Sequence, residues 1–292
     1  MKPGGIDRSR AAALLRGACS MGAQRHTSRI ESAAPGKTAK SVMKDLSGTE
    51  WLWGRQVVLE TLAAGRRKVG RVCMNCAAHG GEIERIRSLA AERGAPVVPA
   101  DEGELDVLCR GGNHQGVAAA VSSYPYVELE SIAAAGPDAL IVVLDHIQDP
   151  QNLGSILRTA ECAGATGVVI AKDRAVGVTP SAVRASAGAS EYAHVARVVN
   201  IARSLRELRD AGFSVVGLES VPEAEVHTEA DLSGPIALVV GGEDRGVSRL
   251  AREACDVVVR IPIFGRVGSL NAGVAFGIAI YEILRQRKNR GA

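Results

Sequence analysis

The chain has 292 residues, about twice a typical domain, so two domains are expected. Hydrophobic residues make up 46% and charged residues 23%, which excludes a disordered chain, and no apolar run approaches the roughly 18–20 residues of a membrane span. The formal charge is +3, yet residues 1–44 hold nine Lys/Arg against Asp7 and Glu31, a net +7, so the remaining 248 residues carry −4.

The basicity therefore belongs to a tail and not to the body. Residues 1–47 form a basic extension, rich in Ala, Ser, Gly and Arg, with no sustained apolar period. Its composition fits a disordered RNA-binding arm, an organellar transit peptide, or an over-extended start with Met43 as the initiator. A small α/β unit follows over 48–123, in which Gln56 to Ala64 reads as a helix closed by Gly65 and Val69 to Met74 as a strand. Glu82 to Arg93 is a helix closed by Gly94, Val97 and Val98 a short strand, Glu102 to Arg110 a helix, and Gly116 to Val121 the last strand. Arg66, Arg67, Lys68 and Arg71 make this unit's local basic cluster, the place where a phosphate-bearing ligand would be met, and His114 is a further polar candidate. Aromatic residues are only 3%, so stacking of successive bases is not the expected mode of any RNA contact.

The cysteines are scattered. Cys73-Met-Asn-Cys76 has metal-ligand spacing, but no second CxxC or His pair follows, and it ends a predicted strand where small apolar residues are ordinary. No metal is expected, and the chain reads as a reduced, intracellular protein.

Residues 124–136, with Pro125 and Gly136, read as a linker to a larger unit over 137–290. There the strands become continuous apolar runs, the mark of strands covered on both faces: Ala139 to Leu144, Gly167 to Ala171, Phe213 to Leu218, Ile236 to Val240 and Val257 to Ile261. Helices are predicted between them at Leu153 to Ala163, Ser181 to Ala187, Ile201 to Ala211 and near Ser248, with a long last helix from about Ser269 to Arg287. Alternating strands and helices predict a mostly parallel sheet.

In such sheets ligands gather beyond the carboxyl ends of the strands. Three of those ends carry unusual sequence. The first is Asp145-His146-Ile147-Gln148-Asp149-Pro150-Gln151-Asn152-Leu153-Gly154 with Arg158 beyond it, where Asn152 also reads as a helix cap. The second is Gly241-Gly242-Glu243-Asp244-Arg245-Gly246, whose paired glycines let backbone approach a ligand. The third runs from Pro262 to Gly268 and then Ser269-Leu270-Asn271, where Ser269 reads as the cap of the terminal helix. Absent motifs narrow the choice further. No G-x-x-x-x-G-K-[ST] exists, which excludes a P-loop NTPase, and no G-x-G-x-x-G follows the first strand, which disfavours a dinucleotide fold.

Asp149-Pro150-Gln151-Asn152-Leu153-Gly154 with Arg158-Thr159, Val240-Gly241-Gly242-Glu243-Asp244-Arg245-Gly246, and Ile261-Pro262 with Ser269-Leu270-Asn271-Ala272-Gly273-Val274-Ala275 resemble the three motifs of the SpoU family, the 2′-O-ribose RNA methyltransferases of the SPOUT superfamily. Val183-Arg184-Ala185-Ser186-Ala187-Gly188-Ala189 and Asn113-His114-Gln115-Gly116 extend the resemblance to nearly everything except the tail. It is greatest to the branch acting on guanosine of 23S rRNA. The resemblance implies a carboxyl-terminal trefoil-knot α/β domain with a mostly parallel sheet, and a small amino-terminal α/β substrate-binding domain like a ribosomal RNA-binding protein. It implies S-adenosylmethionine (SAM) as cofactor, held by Gly241, Ile261 and Leu270, and a catalytic set of Asn152, Arg158, Glu243, Ser269 and Asn271. It also implies a cytoplasmic homodimer acting on large-subunit rRNA. One departure is Gly268, where some relatives carry Ser. A tRNA or resistance-type rRNA ribose methyltransferase is the alternative within the class, and a non-catalytic rRNA-binding assembly factor the alternative outside it.

Overall fold

The computed structural model describes residues 49–134, 136, 138–243 and 245–290; the predicted basic extension lies outside them. Two sheets organise these residues. The first contains β1 (Thr49–Trp53), β2 (Val69–Met74), β3 (Val97–Pro99) and β4 (Val117–Ser122), in the order β1-β4-β2-β3. β4 pairs antiparallel with β1 and β2, while β2 and β3 are parallel. Helices α1 (Arg55–Ala64), α2 (Gly81–Glu92) and α3 (Glu102–Leu108) complete the unit. α2 buries Ile83, Ile86 and Ala90, the apolar stripe visible in its sequence. β1 was not predicted, because only Leu52 of its five residues is buried and a half-covered edge strand has a weak alternation signal.

The segment expected to be a linker holds a one-turn helix, α4 (Leu129–Ala133), which buries Leu129 and Ile132. Five residues are too few to display a helical period. Beyond it lies a seven-stranded sheet of β5 (Leu140–Asp145), β6 (Gly167–Ala171), β7 (Val195–Val198), β8 (Ser214–Leu218), β9 (Glu225–Val226), β10 (Ile236–Gly241) and β11 (Val257–Arg260). Its order is β7-β6-β5-β10-β8-β11-β9, and every pairing is parallel. β7 and β9 are the two edge strands and are the ones the sequence reading missed. Each has exposed positions that break the apolar run by which buried strands are found.

The helices of this half are α5 (Pro150–Cys162), α6 (Pro180–Ala185), α7 (Ile201–Asp210), α8 (Arg249–Glu253) and α9 (Ala272–Arg290), with a single 3₁₀ turn at Ala189–Glu191. β5, β6 and β7 step outward in one direction. The chain then returns to the far side for β8, and β10 inserts between β5 and β8. That insertion puts the end of β10 beside the end of β5, with Gly241 opposite Asp145. All six residues of β5 are buried, so covering helices on both faces hold the strand in place. α9 packs on α5 through a buried row that includes Phe276, Ala279, Ile280 and Ile283.

Two cap assignments differ from expectation. α5 begins at Pro150 and is capped by Asp149, whose carboxylate accepts from the Gln151 amide at 3.0 Å. Asn152 therefore sits inside the first turn with its side chain free for other work. α9 begins at Ala272, and Asn271 Oδ1 accepts from the amides of Gly273 (3.0 Å) and Val274 (3.2 Å), so the cap is Asn271 and not Ser269.

Candidate active site at the ends of the parallel strands

Three loops converge beyond the carboxyl ends of β5, β10 and β11. Asp145, the last residue of β5, is fully buried and holds the first two loops together. Its backbone carbonyl accepts from the Gly242 amide at 3.1 Å, and its carboxylate accepts from the Ser248 amide at 2.7 Å. The other carboxylate oxygen lies 2.5 Å from Nδ1 of His146, which adopts a left-handed φ of 62°. An acidic residue ending a buried apolar run was the sequence signal for this staple, and it went unassigned. The loop after β10 closes on itself where the Gly246 amide donates to Gly242 O at 2.9 Å.

Glu243 projects from that loop and is exposed, but its carboxylate is held from two directions. Nδ2 of Asn152 donates to Oε1 at 2.8 Å, and Nδ2 of Asn271 donates to the same oxygen at 2.6 Å. Asn271 Nδ2 also donates to Asn152 Oδ1 at 2.8 Å, closing a three-residue network. Because Asn271 spends its oxygen on the α9 cap and its nitrogen on this network, the helix terminus and the carboxylate are fixed by one side chain. The network joins residues 152, 243 and 271, one from each motif. Arg158 stands on α5 a turn and a half beyond Asn152; it is exposed and makes no hydrogen bond or ion pair with the described residues. Ser269 is exposed in the third loop and lies outside the network.

Gly241 is where the backbone is tightest. A Cβ placed there would lie 2.0 Å from the Gly246 carbonyl carbon and 2.3 Å from the Val247 amide nitrogen, so only glycine fits. In contrast, a Cβ on Gly265 or Gly268 meets nothing within 4 Å. The third loop is thus open and carries the exposed apolar residues Phe264, Val267 and Leu270, while Ile261 is half-buried against the core. Backbone amides, apolar side chains and an open loop suit an adenine ring and ribose, with the sulfonium and aminocarboxylate arm left toward the open side. The donor set fits SAM.

The expected RNA cluster of the first unit is not an exposed patch. Arg67 is buried, its Nη1 donating to Glu50 at 2.7 Å. Arg66 is half-buried and donates to the Ala193 carbonyl, and Arg71 lies 5.4 Å over the Trp51 ring. Only Lys68 of the four is exposed. His114 is buried as well: its Nδ1 accepts from the Gly116 amide at 3.0 Å and its Nε2 lies 3.3 Å from Asp106, the contacts of a turn residue. Cys73 packs in a small cluster with Ala100, Leu105, Cys109 and Ala118, and burial raises its thiol pKa, while Cys76 is exposed.

Comparison with known proteins converges on one class. Residues 139–281 match the SpoU rRNA Methylase family, and residues 51–127 match the family described as RNA 2′-O ribose methyltransferase substrate binding. The chain is 40% identical over 242 residues to the 23S rRNA (guanosine-2′-O-)-methyltransferase RlmB of Xylella fastidiosa, covering 82% of this chain and 97% of the relative. The crystal structure of an AdoMet-bound rRNA methyltransferase from Sinorhizobium meliloti superposes with a TM-score of 0.70 at 28% identity, over 82% of this chain and 87% of that one. The SpoU methyltransferase AviRb from Streptomyces viridochromogenes, in complex with AdoMet, superposes with a TM-score of 0.71 at 25% identity, over 86% and 97% of the two chains. Fold and family matches are those of an RNA 2′-O-ribose methyltransferase that uses SAM, with a SPOUT knot-like domain and a mixed-sheet substrate-binding domain. The chain belongs to the SpoU family.

Proposed function

We propose that this enzyme methylates the ribose 2′-hydroxyl of a guanosine in 23S rRNA, as a cytoplasmic homodimer. The observation that carries the catalytic part is the network of Asn152, Glu243 and Asn271, with exposed Arg158 further along the helix that carries Asn152. The 23S guanosine target is supported by the relative of that activity, whose length the chain matches almost end to end.

SAM, when bound, supplies a methyl group already activated by its sulfonium charge, so the chain's task is alignment. Gly241, Ile261 and Leu270 would hold the cofactor, largely through backbone atoms. The guanidinium of Arg158 stays protonated and binds the target phosphate in bidentate fashion. Glu243 is engaged by two amides and so leaves Arg158 free for that phosphate. The phosphate that Arg158 would hold, or water, would accept the 2′-hydroxyl proton. Asn152 and Asn271 hold Glu243, and Ser269, outside that network, would hydrogen-bond to the bound ligands at the mouth of the site.

A second copy has an apolar stripe to cover. Val274, Ile278 and Tyr281 are exposed and recur at helical spacing along α9, with exposed Leu270 just before the helix. Among the described residues no helix is long and apolar enough to cross a membrane.

Mapping ribose methyls in rRNA and tRNA from a strain lacking the gene tests the proposal. One lost methyl on a 23S guanosine supports it, whereas a lost tRNA methyl moves the target to the alternative substrate. Failure to transfer tritium from labelled SAM to any RNA would leave the assembly-factor reading.

A further inference from the structure

We propose that Arg67 and Glu191 are positioning residues for methyl transfer, locking the substrate-binding domain in one orientation over the cofactor-binding domain of the same chain. The proposal rests on reading residues 51–127 as the part that holds RNA. It accounts for the Val183 to Ala189 motif, which the active site leaves unused.

The lock is built where α1 and the stretch just after β4 meet the turn after α6. The Arg67 side chain is 0% exposed and Glu191 1%. Arg67 reaches Glu50 of its own domain at 2.7 Å and Glu191 of the other at an ion-pair distance of 3.2 Å. Its guanidinium lies 5.0 Å over the Tyr124 ring, whose hydroxyl is shared between the carbonyls of Ser190 (2.8 Å) and Ala193 (2.6 Å). Tyr192 donates to Glu60 on α1 at 2.6 Å, and Arg184 donates to the Asn113 carbonyl at 2.6 Å. Gly188, with φ of 87°, lets α1 come close: a Cβ there would lie 2.7 Å from the Glu60 Cβ. Beneath these contacts one hydrophobic cluster runs from Leu52, Val58 and Leu62 through Tyr124 to Val183 and Leu153.

An apolar seam alone would hold two domains together without choosing a rotation. Charges buried at the junction are costly when unpaired, so only the orientation that joins Arg67 to both carboxylates is tolerated. Burial raises the pKa of Glu191, as expected of a carboxyl withdrawn from water, with Arg67 and Arg66 opposing the shift. Arg67 Nε and Nη2 and Glu191 Oε1 have no hydrogen-bond partner among the described residues, so the Arg67–Glu191 contact is held by charge attraction and not by a hydrogen bond. An RNA gripped by the first domain must present one ribose oxygen to the crevice, and an error of about 1 Å there costs on the order of a hundredfold in rate.

The test compares full-length wild type with Arg67→Met and, as the milder change, Glu191→Gln. Hydrogen exchange is measured over residues 55–64 and 183–193, SAM affinity by calorimetry, and kcat and KM with unmodified 23S rRNA. We expect faster exchange at the seam, unchanged exchange in β5 and β10, unchanged SAM affinity, and kcat/KM lower by about a hundredfold. Arg67→Lys should recover much of that loss. Unchanged seam exchange, or unchanged kcat/KM despite a loosened seam, would overturn the proposal. If Arg67→Met fails to fold, Glu191→Gln decides on the same readouts. If wild type itself methylates no RNA, the functional reading falls, and exchange still decides whether the pair holds the seam.

Discussion

The crevice at the strand ends and the seam between the two domains both combine arginines with carboxylates, and they use them in opposite ways. In the crevice, Glu243 is held by the amides of Asn152 and Asn271, and Arg158, on the same helix as Asn152, stays exposed. At the seam, Arg67 is held by Glu50 and Glu191 and is lost to solvent altogether. Neutral amides can position a carboxylate without consuming a cation, which leaves Arg158 available for an external anion. A carboxylate pair consumes its arginine. The lesson is that a run of basic residues such as 66–68 says little about RNA until the partner of each is known, whereas a lone arginine near three asparagine and glutamate side chains can be the functional one.

That contrast can be broken in four places, from the largest effect to the smallest. Gly241→Val drives a side chain into the Gly246 and Val247 backbone and should abolish SAM binding by calorimetry; intact affinity would remove the crevice from consideration. Arg158→Ala should retain SAM binding and lose about a thousandfold in methyl transfer, within the range for a positioned group handling a proton. Unchanged turnover would mean that its exposure serves nothing. At the seam, Gly188→Ala places a Cβ 2.7 Å from Glu60 Cβ at a left-handed φ, and should cost about 1–3 kcal/mol in denaturant unfolding while leaving the SAM site formed.

The smallest effect concerns the buried thiols. Burial, with a smaller contribution from Asp106, pushes the Cys109 thiol up to about 12, and burial with Asp256 does the same for Cys255. A raised value in the folded state means that stability is intact below the unfolded thiol's range and is lost as pH rises through the folded value. Unfolding free energy should therefore decline from about pH 9 upward, by at most ~1.4 kcal/mol per pH unit for Cys109. Alkylation at pH 8 should modify the exposed Cys76 and Cys162 and spare Cys109 in the folded chain.

Much of the fold was legible because buried parallel strands are written as unbroken apolar runs. β6 falls on its predicted residues, and β5, β8, β10 and β11 within one residue of them. The edges were not legible: β1, β7 and β9 have half-exposed faces, and the single turn of α4 lies in a stretch rich in turn residues. The three motif segments were legible as strand-end signals, but the caps were exchanged. Asp149 took the role that Asn152 could have filled, and Asn271 the role of Ser269. Helix capping depends on which of several adjacent polar residues has the right backbone angles, and composition does not reveal that.

By itself the sequence determined the class of the enzyme, the residues of its three motifs and the acidity of its body, since each depends on residue type and order along one dimension. Only the tertiary structure decided which side chains meet. It closed residues 152, 243 and 271 into one network, because inserting β10 between β5 and β8 brings distant loops to one edge of the sheet. It also withdrew Arg67 from the surface, because pairing between charges is a short-range event that sequence position does not encode.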